Sequence, residues 1–441
     1  MTALYITICL LGITCTWNLY HPPYKQAYRG IAAFIIGVLC GELALFLLPL
    51  HLLIVGYFLI NDVVNGFWTG LILFLTFISW CAQLVYIVNS MLSVKPLTQA
   101  LDQAGIEHLA PNINSEDRST FWSRILKPFS FRLNNVSCQK GIVYKTVDGQ
   151  ALKLDIYQQK EPLKKTNTEA QPAPVLLYMH GGGLLTYGGT RFGQGLPLLN
   201  ELASLGWVCV SIDYRLSPRN QWPAHLIDCK TALQWIKQNI QAYGGNPDFV
   251  VTAGDSAGGQ LSALMALTAN DSQFEAKPSP QSPNHDSQNS PHTEKGKSSQ
   301  VQGAICLSGV MDFCNLYGTS HSSDAGRLWS KSVIKADFHD PANLALFRSA
   351  NAIATASEHS DPSTIPDCLL IHGTKDSLIA IEESELLAKK LSQVSENKVI
   401  FARVPGAQHV FNMLRSIRSE LVLAETVRFA QNCHRRHLNR S

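Results

Sequence analysis

Apolar residues dominate the first 94 positions, where Lys25, Arg29, Glu42 and Asp62 are the only charged side chains. They fall into three stretches, Ala3 to Tyr20, Ile31 to Ile60 and Phe67 to Leu92. The third is long enough to cross a bilayer with some tilt. The second exceeds one span and contains Glu42, Pro49 and His51, so it reads either as one long kinked helix or as a span continuing along the interface. Met1-Thr2 brings no positive charge ahead of the first stretch, which favours a retained segment over a cleaved signal peptide. Two to three transmembrane helices are therefore expected within 1–94.

From Gly141 onward short apolar runs alternate with helical periodicity, the pattern of a largely parallel sheet covered on both faces. Strands are expected at Gly141 to Thr146, Ala151 to Tyr157, Val175 to Met179, Trp207 to Ile212, Phe249 to Ala253, Val301 to Leu307, Cys368 to Ile371 and Val399 to Val404. An Asp148-Gly149 turn joins the first two as a hairpin. Helical patterns cover Pro197 to Ser204, Ala224 to Tyr243, Gln260 to Thr268, Glu382 to Leu391 and Val410 to Ala430. Residues 271–300 are dense in Ser, Pro, Asn, Gln and Lys and read as a disordered insertion. The expected organisation is a membrane region at 1–94, a linker or cap segment at 95–140, an α/β domain at 141–432 and a basic tail at 433–441. Within the linker, the aromatic and basic run Phe121 to Arg132 suits either the headgroup level of a membrane or a lid over the soluble domain.

Charge changes the picture little. Lys plus Arg total 36 against 33 for Asp plus Glu, a net +3 with signs interspersed, which gives no reason to expect nucleic acid as a partner. Eleven cysteines lack C-x-x-C spacing and read as buried free thiols, so neither a zinc site nor a disulfide framework is expected. Lys25 and Arg29 in the loop 21–30 and Lys95 after the third stretch would, by the positive-inside rule, put that loop and everything after Lys95 in the cytoplasm. Oligomeric state leaves no signature.

Candidate chemistry centres on Gly254-Asp255-Ser256-Ala257-Gly258, where a strand pattern gives way to a helix pattern. In a G-x-S-x-G elbow the turn is sharp enough to strain the serine and expose its hydroxyl above a helix N-terminus. A serine needs a base, and the base needs an acid to fix its tautomer. Asp376 follows the strand run Cys368 to Ile371, and His409 follows Val399 to Val404. Either alone suits a helix cap or a surface polar group, but serine, acid and histidine arrive in order, each after a strand. Val175 to Met179 runs into His180-Gly181-Gly182-Gly183, whose bare N–H groups suit an oxyanion, with Ala257 N–H as a further donor. No Gly-Lys-Ser/Thr follows, which disfavours a phosphate loop.

Together, His180 to Gly183, Gly254 to Gly258, His372-Gly373-Thr374-Lys375-Asp376 and Gly406 to His409 resemble the hormone-sensitive-lipase-type branch of the α/β-hydrolases, over roughly Ile142 to Ala430. The resemblance implies an α/β-hydrolase fold and ester hydrolysis through an acyl-enzyme on Ser256, His409 and Asp376, with no metal and no organic cofactor. It also implies Gly181 and Gly182 as oxyanion donors. The family usually has Ala and Glu where Ser217 and Arg219 stand here. The expected protein is a membrane-tethered esterase or lipase acting on lipophilic or acylglycerol esters, with membrane lipid as its other partner. Amide hydrolysis on the same triad and a non-catalytic ligand-binding module are the alternatives. The membrane region is expected to contribute no visible chemistry.

Overall fold

The computed structural model describes residues 1–24, 27–108, 115–160, 171–186, 188–275, 298–320, 325–359 and 361–440. Six helices precede the sheet: α1 (Thr2–Tyr20), α2 (Ala27–Glu42), α3 (Ala44–Ile60), α4 (Phe67–Leu92), α5 (Lys95–Gln103) and α6 (Ser115–Ile125). The α/β part continues through β1 (Val136–Val147), β2 (Gln150–Gln159), β3 (Ala173–Met179), α7 (Leu196–Ser204), β4 (Val208–Ile212), α8 (Ala224–Asn239), β5 (Gly245–Asp255) and α9 (Ala257–Leu267). Then come β6 (Gly303–Leu307), α10 (Ala325–Trp329), α11 (Leu344–Ser349), α12 (Ala352–Glu358), β7 (Asp367–Gly373), α13 (Ile381–Val394), β8 (Val399–Val404) and α14 (Ile417–Leu438).

The strands form one sheet in the order β1-β2-β4-β3-β5-β6-β7-β8. β2 pairs antiparallel with β1 and β4, and the other pairings are parallel. Period-2 geometry divides each buried strand between two cores. Val175, Leu177 and Met179 of β3 join Leu226 and Leu233 of α8 and Leu261 and Leu264 of α9 on one face. Leu176 and Tyr178 join Leu199 and Leu202 of α7 and Val422 and Phe429 of α14 on the other.

Among the described residues, Thr2–Tyr20 and Phe67–Gln103 are long and apolar enough to cross a membrane, with a third span if the bent pair Arg29–Glu42 and Ala44–Ile60 counts as one. That pair bends by 85°. The break falls at Leu43, beside Glu42, while Pro49 lies inside α3. At this break the chain meets the α/β domain. Glu42 is buried against Arg418, and its other oxygen accepts from Ser416 Oγ at 2.5 Å at the N-terminus of α14.

Several contacts tie the flanking segments to the α/β domain. Leu97 and Leu101 of α5 are fully buried in the α7/α14 core, which packs 95–103 against the α/β domain. In the aromatic segment, Arg124 turns inward to Glu201 and Glu420, and Arg415 donates to the carbonyls of Pro128 and Ser130, while Trp122, Leu126 and Phe129 are exposed. Residues 433–438 continue α14, with Cys433 buried and Arg436 on Asp367. Most of the 271–300 insertion lies outside the described residues, but its ends are ordered. Phe274 is buried, and Lys230 inside the core donates to the Thr268 carbonyl and Ser299 Oγ and pairs with Glu275.

Candidate active site

β5 ends at Asp255 and α9 begins at Ala257, leaving Ser256 alone at the corner with φ 56° and ψ −119°. That left-handed backbone is costly for a non-glycine residue and persists only where the surroundings impose it. They do so here by close packing. A Cβ on Gly258 would strike the carbonyl of Met179, and one on Gly254 would strike the Gly258 backbone. Only glycines let α9 approach β3 this closely.

The turns after β7 and β8 bring the acid and the histidine to the serine. His409 Nε2 lies 2.9 Å from Ser256 Oγ, and its Nδ1 lies 2.7 Å from Asp376 Oδ2. The other oxygen of Asp376 accepts from the N–H groups of Leu378 (3.0 Å) and Ile379 (2.8 Å). Burial alone would raise the Asp376 carboxyl, but the His409 charge and the bonds from His372 and His409 hold it well below the usual carboxylate range. A fixed carboxylate behind Nδ1 leaves Nε2 as the acceptor facing the serine hydroxyl.

Three supporting residues escaped the sequence reading. Gln408 Oε1 accepts from Ser377 N at 2.7 Å and from His409 N at 2.9 Å, tying the acid turn to the histidine turn. His372 Nε2 sits 3.1 Å from Asp376 Oδ2 while Ser384 Oγ meets its Nδ1 at 2.8 Å, so it braces the acid from beneath. Asn412 donates to Asp255 Oδ1 at 2.7 Å, and Tyr178 donates to the other oxygen. Burial raises the Asp255 carboxyl despite those two bonds. Gln408 adjoins the expected histidine and His372 opens the expected acid motif, the only local signals for either.

The glycine loop after β3 lies beside the serine. Gly182 has φ 112° and packs so tightly on Gly188 that any Cβ would overlap that backbone. Gly181, expected as an oxyanion donor, instead gives its N–H to Gln194 Oε1 at 2.6 Å. Ala257 N–H, in the first turn of α9, belongs to the donors that a helix leaves without an internal partner. His180 is buried and stacked on Tyr214 at 4.4 Å, and burial lowers its imidazole below the usual range. This histidine holds the loop and does not reach for the serine. Its Nδ1 lies 2.7 Å from Gly181 O, and Tyr214 Oη donates to its carbonyl.

Comparisons with known proteins agree with this architecture. The chain is 38% identical over 271 residues to LipM of Mycobacterium tuberculosis, named a probable carboxylic ester hydrolase, covering 62% of this chain and 56% of that protein. It is 32% identical over 288 residues to the esterase LipC of the same organism, covering 65% and 64%. It thus spans less than two thirds of the length of these curated relatives. Among solved structures, a fungal esterase of Rhizomucor miehei superposes with a TM-score of 0.52 at 21% identity, covering 78% of this chain and 97% of that one, which shows a shared α/β-hydrolase fold. The sequence profile of the BD-FAE family matches residues 154–391, more than half of the chain and all of the sheet from β3 to β7, and the chain therefore belongs to that family.

Proposed function

We propose that this protein is a membrane-tethered carboxylic-ester hydrolase acting on lipophilic or acylglycerol esters. The relay from Asp376 through His409 to Ser256 carries the reading, with spacings of 2.7 and 2.9 Å. The esterase names of its relatives support the reaction class. Ser256 Oγ attacks the ester carbonyl carbon as His409 Nε2 takes its proton, and Asp376 stabilises the imidazolium. Gly182 and Ala257 N–H groups hold the developing oxyanion, while the Gly181 N–H stays on Gln194. His409 returns the proton to the departing alkoxide, leaving an acyl-Ser256 that water cleaves by the same steps. The apolar helices at 2–20 and 67–103 support tethering to a membrane, and the positive-inside rule favours a cytoplasmic catalytic domain.

The test is hydrolysis of nitrophenyl esters of graded chain length by the full chain in detergent micelles. Ser256→Ala is expected to lose roughly 10⁶ in kcat. Undiminished hydrolysis by that variant would exclude Ser256 as the nucleophile.

A further inference from the structure

The N-terminal helices do more than sit beside the α/β domain, because their polar and ring contacts converge on the two turns that carry Asp376 and His409. Ser377 Oγ, next to the acid, donates to Gly30 O of α2 at 2.9 Å. Lys375, on its other side, donates to Tyr20 O at the end of α1 at 2.7 Å. Gly406, three residues before the histidine, accepts from Tyr86 Oη of α4 at 2.9 Å. Phe34 of α2 meets the His409 ring edge-on, with centroids 5.7 Å apart. Gly37, one turn further along α2, packs on the side chain of Gln408, and an added Cβ would come within 3.1 Å of its Nε2. Gly30 is tighter still, since a Cβ there would stand 2.6 Å from Ser377 O. On the opposite side of α2, Ile31, Ile35 and Leu39 are exposed.

These contacts have a common consequence. Gln408 already joins the acid turn to the histidine turn, and α2 presses on Gln408, Ser377 and His409 together. We propose that α2 is a positioning element of the active site, in which Phe34 fixes the His409 ring and the Gly30–Gly37 face holds the acid and histidine turns in register. This inference rests on the triad reading given above. It makes catalysis depend on a helix whose other face is apolar and exposed, so the ester meets Ser256 beneath a helix seated in the membrane region.

The experiment uses the full chain in detergent micelles with a fluorophosphonate probe for the serine and a short nitrophenyl ester. Phe34→Ala is expected to lose roughly ten- to a hundredfold in kcat, the scale of a misplaced catalytic group, with KM little changed. Phe34→Leu, which restores most of the packing, should recover to within about threefold. Gly37→Leu, which pushes on Gln408, should slow both labelling and turnover. Ile35→Ala, on the exposed face of the same helix, should match the unaltered protein in both. If Phe34→Ala and Gly37→Leu label and turn over like the unaltered protein, α2 is only a tether, and the triad reading survives without this inference. Loss in Phe34→Ala with no recovery in Phe34→Leu, or an equal loss in Ile35→Ala, overturns it as well. An unaltered protein that neither labels nor hydrolyses overturns the triad reading and this inference together.

Discussion

The buried acids around the site work in opposite senses, and their titrations separate the two roles. Asp376 is held ionised by His409 and His372, so its contribution to stability is present above the ordinary carboxylate range and is lost as pH falls through its depressed value. Replacing it with Asn keeps the shape but lets the amide donate toward Nδ1, which favours the wrong imidazole tautomer. Asp376→Asn is expected to lose about 10⁴ in kcat and, because the stabilising charge goes with it, to melt lower than the unaltered protein at neutral pH, measured with esters and by thermal melts. Glu383, at the start of α13, is the reverse case. Burial, reinforced by Asp312, pushes its carboxyl up to about 8, although the N–H groups of Asp312 and Met311 partly offset that rise. The folded protein thus holds a proton that the unfolded chain has released above its ordinary carboxylate value, and stability drains away as pH rises from near 4.5 toward 8. Glu383→Gln mimics the protonated form. Its melting temperature relative to the unaltered protein should rise between pH 5 and pH 9, and a flat difference would show that Glu383 ionises freely.

At the scale of elements, all eight expected strands form, because apolar runs bounded by turn residues have few other ways to bury themselves. Their ends follow pairing rather than composition. β1 begins at Val136, earlier than its apolar run, because Val136 pairs with Gln159 across the hairpin. The last helix shows the opposite shift. Its pattern suggests a start at Val410, but α14 begins at Ile417 after a Ser416 cap, since the intervening residues carry Asn412 to Asp255 and Arg415 to Glu420. The elbow depends on strand and helix being nearly in contact. Gly258→Ala is expected to force β3 and α9 apart, lowering stability by about 1–3 kcal/mol and slowing fluorophosphonate labelling, read by thermal melts and probe kinetics. Labelling and melting like the unaltered protein would mean that the elbow has slack which the close approach to Met179 O does not allow.

Across the whole molecule, one buried ion pair joins the helical region to the hydrolase domain. Glu42 and Arg418 are almost wholly buried, Tyr86 Oη lies 3.1 Å from the guanidinium, and Ser416, whose Oγ caps α14 by accepting from Ser419 N, donates to the same carboxylate. Removing one member of such a pair strands the other charge, typically at a cost of about 3–5 kcal/mol, whereas apolar replacement of both members is often neutral. Glu42→Leu should therefore lower the melting temperature in detergent more than the double variant Glu42→Leu with Arg418→Met. A double variant as unstable as the sum of the single changes would show that the pair is not the source of the effect.

What local chemistry dictates was legible in the order of residues. Apolar runs place the strands, and Ser256, Asp376 and His409 each follow such a run, so topology alone delivers them to the carboxyl edge of one sheet. Period-2 alternation likewise assigns Val175 and Leu176 to opposite cores before any partner is known. Contacts between distant segments had no such signature. Gln408 reaches Ser377, Asn412 reaches Asp255 and Gly181 turns to Gln194 through hydrogen bonds whose partners lie 31, 157 and 13 residues away. No local propensity encodes those separations. The sharpest revision concerns the first 94 residues, whose apolar composition says only that they leave water. Glu42 is the one charged side chain inside the three apolar stretches, and it took the tertiary structure to show it meeting Arg418, with Phe34 two turns earlier against His409. A buried charge and a packed ring are stable only where their partners stand, and only the folded chain brings those partners together.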